Sequence, residues 1–122
     1  MKKVNRTILT FSIIVAAIIL TLFLISLKTE SSKIILFYRE DCPHCKNVEN
    51  YLSQNNVETT IQIQKKAIEN QKNAQELIKI AEKCKIPKTE LGVPFLYAEN
   101  KCFMGEVEIM AFFDQKLNLS NK

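Results

Sequence analysis

The stretch that decides the fold is residues 34–45, which read IILFYREDCPHC. Its apolar first part has no polar alternation, a pattern typical of a central strand covered on both faces. Helical periodicity begins at Pro43, a residue suited to a first helical turn because it lacks an N–H there. A helix N-terminus favours a thiolate on Cys42, and Cys45 follows closely enough to attack a mixed disulfide formed at Cys42. The stretch therefore predicts a redox-active pair of thiols.

Helical spacing after Pro43 assigns roles to the two thiols. In a helix over residues 43–54, Cys45 shares an inward stripe with Val48 and Leu52. The same register leaves Cys42 at the exposed tip of the helix. We therefore expect Cys42 to meet a partner and Cys45 to act from inside the protein.

The rest of the soluble part alternates strand and helix patterns. Residues 57–63 alternate apolar and polar side chains, which predicts a half-buried strand at a sheet edge. Further along, the patterns predict a helix over 68–84, a strand over 93–97, a hairpin turn, a short strand over 101–104 and a helix over 107–117. With the first strand, over 33–38, the predicted order is β-α-β-α-β-β-α, an α/β domain.

A 20-residue apolar run without a charge, residues 8–27, precedes this domain. At ~1.5 Å per residue a helix of that length spans the apolar core of a bilayer. A cleaved signal peptide is the alternative, but its apolar region is usually shorter and ends at a small-residue cleavage site, which is not evident here. We interpret residues 1–28 as an uncleaved signal anchor, 29–32 as a linker, 33–117 as the domain and 118–122 as a tail.

Charge supports an orientation and excludes one class of partner. Lys2, Lys3 and Arg6 precede the apolar run, so the positive-inside tendency predicts a cytoplasmic N-terminus and an extracytoplasmic domain. Four of the 17 basic residues lie within residues 1–28 and all 13 acidic residues follow them, which leaves the soluble part formally neutral. Without a basic patch interleaved with aromatic residues, we expect no nucleic-acid partner.

At this point the chain resembles thioredoxin-fold proteins of the short, glutaredoxin-like kind over residues 33–117. Three features carry the resemblance: the strand, CPHC motif and helix in that order; the run Gly92-Val93-Pro94-Phe95 that opens a strand; and a hairpin that closes on Gly105 before a last helix. The resemblance implies a three-layer fold with a four-stranded mixed sheet. It also implies a cis Pro94 against the cysteine pair, with Val93 and Pro94 as a ledge facing the substrate, and no cofactor beyond the chain's own disulfide.

The residues between the two cysteines are similar to one branch of this superfamily. Pro43-His44 is the dipeptide of DsbA-type extracytoplasmic disulfide oxidases, in which a His beside the nucleophile stabilises the thiolate and so raises oxidising power. An exposed loop His without that role is the plainer interpretation of His44. Leu36 stands where thioredoxin and DsbA-type proteins carry a buried acid, which leaves both oxidation and reduction open.

The glutathione pocket of glutaredoxins is not matched residue for residue. Gly92 replaces the Thr of the Thr-Val-Pro run, and Met104-Gly105-Glu106 replaces a Gly-Gly-x-Asp stretch. Glutathione is therefore not expected as a dedicated substrate.

Two further cysteines, Cys84 and Cys102, fall at the end of the resembled fold opposite to Cys42. In an oxidising compartment we expect them to form a structural disulfide. Two free buried thiols and a second redox pair are the alternatives. A zinc site made from all four cysteines fits this placement poorly.

The resulting hypothesis is a membrane-tethered extracytoplasmic thiol–disulfide oxidoreductase. Cys42 attacks, Cys45 resolves, and the substrates are cysteines of exported or membrane proteins, with a membrane redox partner that recharges the enzyme. One alternative is a carrier that holds a soft metal such as Cu(I) between Cys42 and Cys45. Another is a tethered, non-catalytic domain in which CxxC forms a structural disulfide.

Overall fold

The chain divides into two units, residues 1–31 and 32–122. The computed structural model describes residues 5–26 and 33–120. The predicted linker 29–32 lies outside the described residues, and so do Lys2 and Lys3, on which the predicted orientation depends in part.

Residues 5–26, the described part of the first unit, form one helix, α1 (Arg6–Ser26). Its large apolar side chains from Ile8 to Leu24 are all exposed, since no second element among these described residues covers them. The segment Arg6–Leu24 is long and apolar enough to cross a membrane, a test that a signal sequence also passes.

The second unit is built on a four-stranded sheet with the strand order β2-β1-β3-β4. The strands are β1 (Ile34–Tyr38), β2 (Ile63–Ala67), β3 (Phe95–Ala98) and β4 (Lys101–Met104). β1 pairs with β2 in parallel, while the β1–β3 and β3–β4 pairs are antiparallel. The predicted mixed, four-stranded sheet is confirmed.

Helices cover both faces of this sheet, which gives the predicted three layers. α2 (Pro43–Gln54) and α5 (Glu106–Ser120) pack on one face, and α4 (Gln71–Lys83) packs on the other. Residues of β1 point alternately into the two cores, with Leu36 on the α2–α5 side and Phe37 on the α4 side. The uninterrupted apolar run of β1 therefore reflects burial on both faces, as predicted.

The second strand was predicted in the wrong place. Residues Val57–Thr60 form a short helix, α3, and the edge strand begins only at Ile63. Asn56 has a left-handed backbone with a φ of 50°, which turns the chain after α2 so that Val57 enters the core fully buried. The strand forms where the chain runs parallel to β1, with Ile63 opposite Ile34 and Ala67 opposite Tyr38. Its position at the sheet edge is as predicted.

Other element ends differ by a few residues from the prediction. α4 begins at Gln71 because the side chain of Asn70 accepts a hydrogen bond from the Lys72 N–H and caps the helix. β3 begins at Phe95, directly after the turn at Pro94. α5 continues to Ser120, into the predicted tail 118–122.

Candidate functional site

Cys42 is the last residue of the loop that joins β1 to α2, and it is the N-cap residue of α2. Its Sγ accepts a hydrogen bond from the Cys45 N–H, with an N···S distance of 3.4 Å. On the other side, the thiol can donate to the Val93 carbonyl oxygen, 3.8 Å away. The N–H contact and the helix N-terminus both favour a negative charge on this sulfur.

The prediction that Cys42 lies at an exposed tip of the helix is wrong. The residue is only 7 % exposed. Because its sulfur takes the capping position, it turns inward over the first turn of α2, and the segment that carries Val93 lies against it. Cys42 therefore borders a groove and does not lie at a free tip.

Cys45 is almost fully buried, at 1 % exposed, in the predicted stripe with Val48 and Leu52. Burial raises the pKa of its thiol to about 12, and the hydrogen bond with Cys42 adds to this effect. At neutral pH Cys45 is consequently a protonated thiol. The two sulfurs thus have different surroundings, although Cys42 caps α2 and Cys45 lies in its first turn.

Val93 and Pro94 approach this turn from the other side of the site. The peptide bond between them is cis, and Pro94 is buried. The Pro94 carbonyl accepts a hydrogen bond from the Gly105 N–H at 2.9 Å, which ties this segment to the start of α5. The structure thus brings Cys42, Cys45 and the Val93–Pro94 segment together.

His44 and Pro43 occupy the outer side of the α2 N-terminus. Pro43 is the first helical residue, as expected for a side chain that needs no N–H partner there. The His44 side chain is largely exposed, and its Nδ1 lies 3.2 Å from Glu106 Oε2. His44 is therefore held toward α5.

Glu106 is a site residue that the sequence reasoning did not single out. The same oxygen, Oε2, also accepts a hydrogen bond from the Asn47 side chain at 2.8 Å. The bonds from Asn47 and then His44 lower the pKa of the Glu106 carboxyl. An acidic residue in the first turn of a helix was the available signal, but its partners lie on α2, far away in sequence.

Two open grooves flank the Val93–Pro94 segment. One, of about 370 Å³, includes Cys42 in its wall. The other, of about 560 Å³, is lined by His44, Pro94, Met104 and the two glutamates Glu106 and Glu108, and does not include Cys42.

Cys84 and Cys102 form a disulfide with a Cα–Cα distance of 6.2 Å. Cys84 is the C-cap residue of α4, and Cys102 lies in β4 opposite Tyr97 of β3. Tyr97 in turn pairs with Ile35 near the start of β1, whereas Cys42 follows the end of that strand. This disulfide is therefore separate from the CPHC motif.

Comparisons with known proteins agree with this architecture. No family model and no curated protein matches the chain. Among solved structures, glutaredoxin 1 from Francisella tularensis, crystallised in complex with cacodylate, superposes with a TM-score of 0.51 at 20% sequence identity. The match covers 72% of this chain and 99% of that one.

The fold is that of thioredoxin in its glutaredoxin-like form. Because the match covers almost all of the glutaredoxin chain, this chain contains a nearly complete glutaredoxin-like fold. At this level of identity the likeness concerns the fold, and the chemistry has to be argued from the site.

Proposed function

We propose that this protein is a thiol–disulfide oxidoreductase in which Cys42 is the attacking thiolate and Cys45 the resolving thiol. The observation that carries the proposal is the contrast between the two sulfurs. Cys42 receives an N–H at a helix N-terminus, where a thiolate is favoured, and Cys45 is buried with a pKa raised to about 12. A purely structural CxxC disulfide needs no such difference.

Reduction of a substrate disulfide proceeds in two exchanges. The Cys42 thiolate attacks one substrate sulfur, a Cys42–substrate disulfide forms, and the other substrate sulfur leaves with the electron pair and takes a proton. Cys45 then loses its proton and attacks Cys42 Sγ, which releases the second substrate thiol. The enzyme ends as a Cys42–Cys45 disulfide, and the substrate has gained two electrons and two protons.

The same steps in reverse oxidise a substrate dithiol. We propose that His44 and the N–H bond to Cys42 favour this direction, because both stabilise the thiolate of the reduced enzyme. A reduction potential near −120 mV, the value of a strong disulfide oxidase, is then expected, and a potential near −270 mV, the value of thioredoxin, indicates a reductase.

We further propose that residues 8–27 anchor the protein in a lipid bilayer and that the domain faces the extracytoplasmic side. The length and apolarity of α1 support the anchor. The Cys84–Cys102 disulfide supports an oxidising compartment, since such bonds are rare in the cytosol. Substrates would then be cysteines of exported or membrane proteins, and a membrane redox partner would restore the enzyme.

Two single substitutions test the chemistry in the full-length chain in detergent. Cys42→Ser should abolish insulin reduction and the oxidation of reduced ribonuclease, since no first exchange can occur. Cys45→Ser should accumulate a mixed disulfide on Cys42, detectable by non-reducing electrophoresis and mass spectrometry. The matched control is Cys84→Ser combined with Cys102→Ser, which should retain exchange.

A Cys42→Ser variant that is as active as the wild type would refute the assignment. Stoichiometric Cu(I) binding by the wild type without any exchange activity would instead favour the metal-carrier alternative.

A further inference from the structure

We propose that Glu106 is a positioning residue that acts on the redox pair through His44. By holding the imidazole, Glu106 limits how far His44 stabilises the Cys42 thiolate, and it thereby lowers the oxidising power of the protein. This inference rests on the proposed function and concerns how the potential of that same site is set.

The imidazole of His44 has a partner on another helix. Its Nδ1 lies 3.2 Å from Oε2 of Glu106, in the first turn of α5. The Asn47 side chain donates a hydrogen bond to the same oxygen at 2.8 Å. The preceding residue, Gly105, donates its N–H to the Pro94 carbonyl oxygen. Two side chains of α2 therefore hold this carboxylate, while the start of α5 is bound to the cis-proline segment.

The Cys42 sulfur has its hydrogen bonds elsewhere. Among the described residues, its partners are the Cys45 N–H and the Val93 carbonyl oxygen, and not His44. His44 and Glu106 line the groove of about 560 Å³, whereas Cys42 lies in the wall of the other groove, of about 370 Å³. The imidazole is therefore engaged with the carboxylate and not with the sulfur.

Both protonation states of His44 lead to the same result. The pKa of the Glu106 carboxyl is lowered by Asn47 and His44, so the ionised carboxylate only accepts and Nδ1 carries the proton of this contact. A neutral imidazole bonded in this way has Nε2 as an acceptor, which cannot donate to a thiolate. A protonated imidazole has its charge opposed by a carboxylate 3.2 Å away. In either state Glu106 reduces what His44 offers to the Cys42 thiolate.

The contact therefore bears on the redox equilibrium. A thiolate on Cys42 exists only in the reduced enzyme, so whatever stabilises it favours the dithiol and makes the disulfide a stronger oxidant. Glu106 weakens that stabilisation and shifts the equilibrium toward the Cys42–Cys45 disulfide. Removal of the Glu106 side chain should release His44 and shift the equilibrium back toward the dithiol.

A double-mutant cycle tests this on the full-length protein in detergent, with Glu106→Ala, His44→Ala and their combination. Each variant is equilibrated in thiol buffers of graded potential. There, one enzyme disulfide and two buffer thiols become one enzyme dithiol and one buffer disulfide. Acid quenching, alkylation and mass spectrometry of the peptide that carries Cys42 and Cys45 give the reduced fraction, separately from the other two cysteines.

We expect Glu106→Ala to raise the equilibrium constant for reduction about threefold, an effect of the size that one exposed ion pair supports. The same substitution should have little effect when position 44 carries alanine. Glu106→Gln removes the charge but keeps an acceptor for the Nδ1 proton, so it should give a smaller rise.

Glu108→Ala is the matched control. Glu108 lies in the same helical turn and lines the same groove as Glu106, but its carboxylate accepts a hydrogen bond from the Met104 N–H. Its removal therefore takes away an equal charge without releasing His44. The equilibrium constant of this variant should stay close to that of the wild type.

The outcomes separate the two proposals. An equal rise with and without His44 would overturn the inference, since Glu106 would then act directly through its charge. An equal rise in Glu108→Ala, or no rise in Glu106→Ala, would also overturn it. Glu106→Gln provides the comparison if circular dichroism shows that Glu106→Ala does not fold. If Cys42 and Cys45 do not interconvert between dithiol and disulfide in any buffer, the proposed function itself is refuted.

Discussion

Cys42 and Cys45 are three residues apart in one helical turn, yet their sulfurs have different surroundings. Cys42 Sγ caps the helix and borders a groove, while Cys45 lies in the core among residues of the α2 stripe. The position of a sulfur along the helix thus decides its surroundings, and burial raises the pKa of the Cys45 thiol.

Glu106 is a second single residue that shapes the site. One of its carboxylate oxygens joins α5 to two side chains of α2, those of His44 and Asn47. Its neighbour Gly105 donates to the Pro94 carbonyl. The start of α5 therefore contacts both the CPHC helix and the cis-proline segment. Glu106 is a positioning residue for the site in this arrangement.

The Glu106 carboxyl gives a prediction about pH. Since its pKa is lowered in the folded state, its contribution to stability is full above the unfolded pKa near 4.5 and is lost as the pH falls through the folded value. Glu106→Gln should lower the urea midpoint relative to the wild type at pH 7, and the two midpoints should converge by about pH 3.

Glu90→Gln is the control for this comparison, because Glu90 is an exposed glutamate of the connector between α4 and β3. Its midpoint should follow that of the wild type at both pH values. A Glu106→Gln midpoint that equals the wild type at pH 7 would contradict the proposed role.

At the scale of elements, the segment after α2 shows how an alternating pattern misleads. Val57, Thr59, Ile61 and Ile63 alternate with polar residues as a strand would, but the first four residues of the segment are helical. Only Val57 of the helical turn is buried, and Thr59 is exposed. The turn shortens the connection so that β2 begins where it can pair with β1.

Alanine substitutions test whether residues 57–60 form a helical turn or the strand that the alternating pattern predicts. Val57→Ala should lower the free energy of unfolding by about 2 kcal/mol, since it leaves a cavity in the α2–α5 core. Thr59→Ala should change it by no more than about 0.5 kcal/mol, as is usual at exposed positions. Urea denaturation measures both, and similar losses for the two variants would indicate a strand with both side chains inward.

At the scale of the whole molecule, a disulfide joins the end of α4 to β4 across 18 positions of the chain. It spans the connector and the hairpin that together hold Val93 and Pro94. A domain of this size has a small core, and a covalent link that restricts the unfolded chain therefore contributes a large share of stability.

Replacing both of these cysteines with serine should lower the free energy of unfolding by about 3 kcal/mol. Thermal or urea denaturation of the full-length protein measures this loss. The Cys42–Cys45 exchange rate at a temperature where the variant is folded should stay close to that of the wild type, because Cys84 and Cys102 lie outside the two grooves at the site. An unchanged stability would show that the bond does not form in solution.

Local patterns in the sequence were enough for the order of elements apart from α3, for the mixed α/β architecture and for the inward face of α2. They were enough because the periodicity of side chains and the residues that end helices act over a few positions. The same applies to the buried β1, whose apolar run predicts two covered faces.

Tertiary structure alone decided the placement of β2, the burial of Cys42, the role of Glu106 and the groove beside Cys42. Each depends on elements that are distant in the chain: β2 on its register with β1, Cys42 on the segment at Val93, and Glu106 on a partner 59 residues away. Such contacts are set by how whole elements pack, and no local pattern of side chains records them.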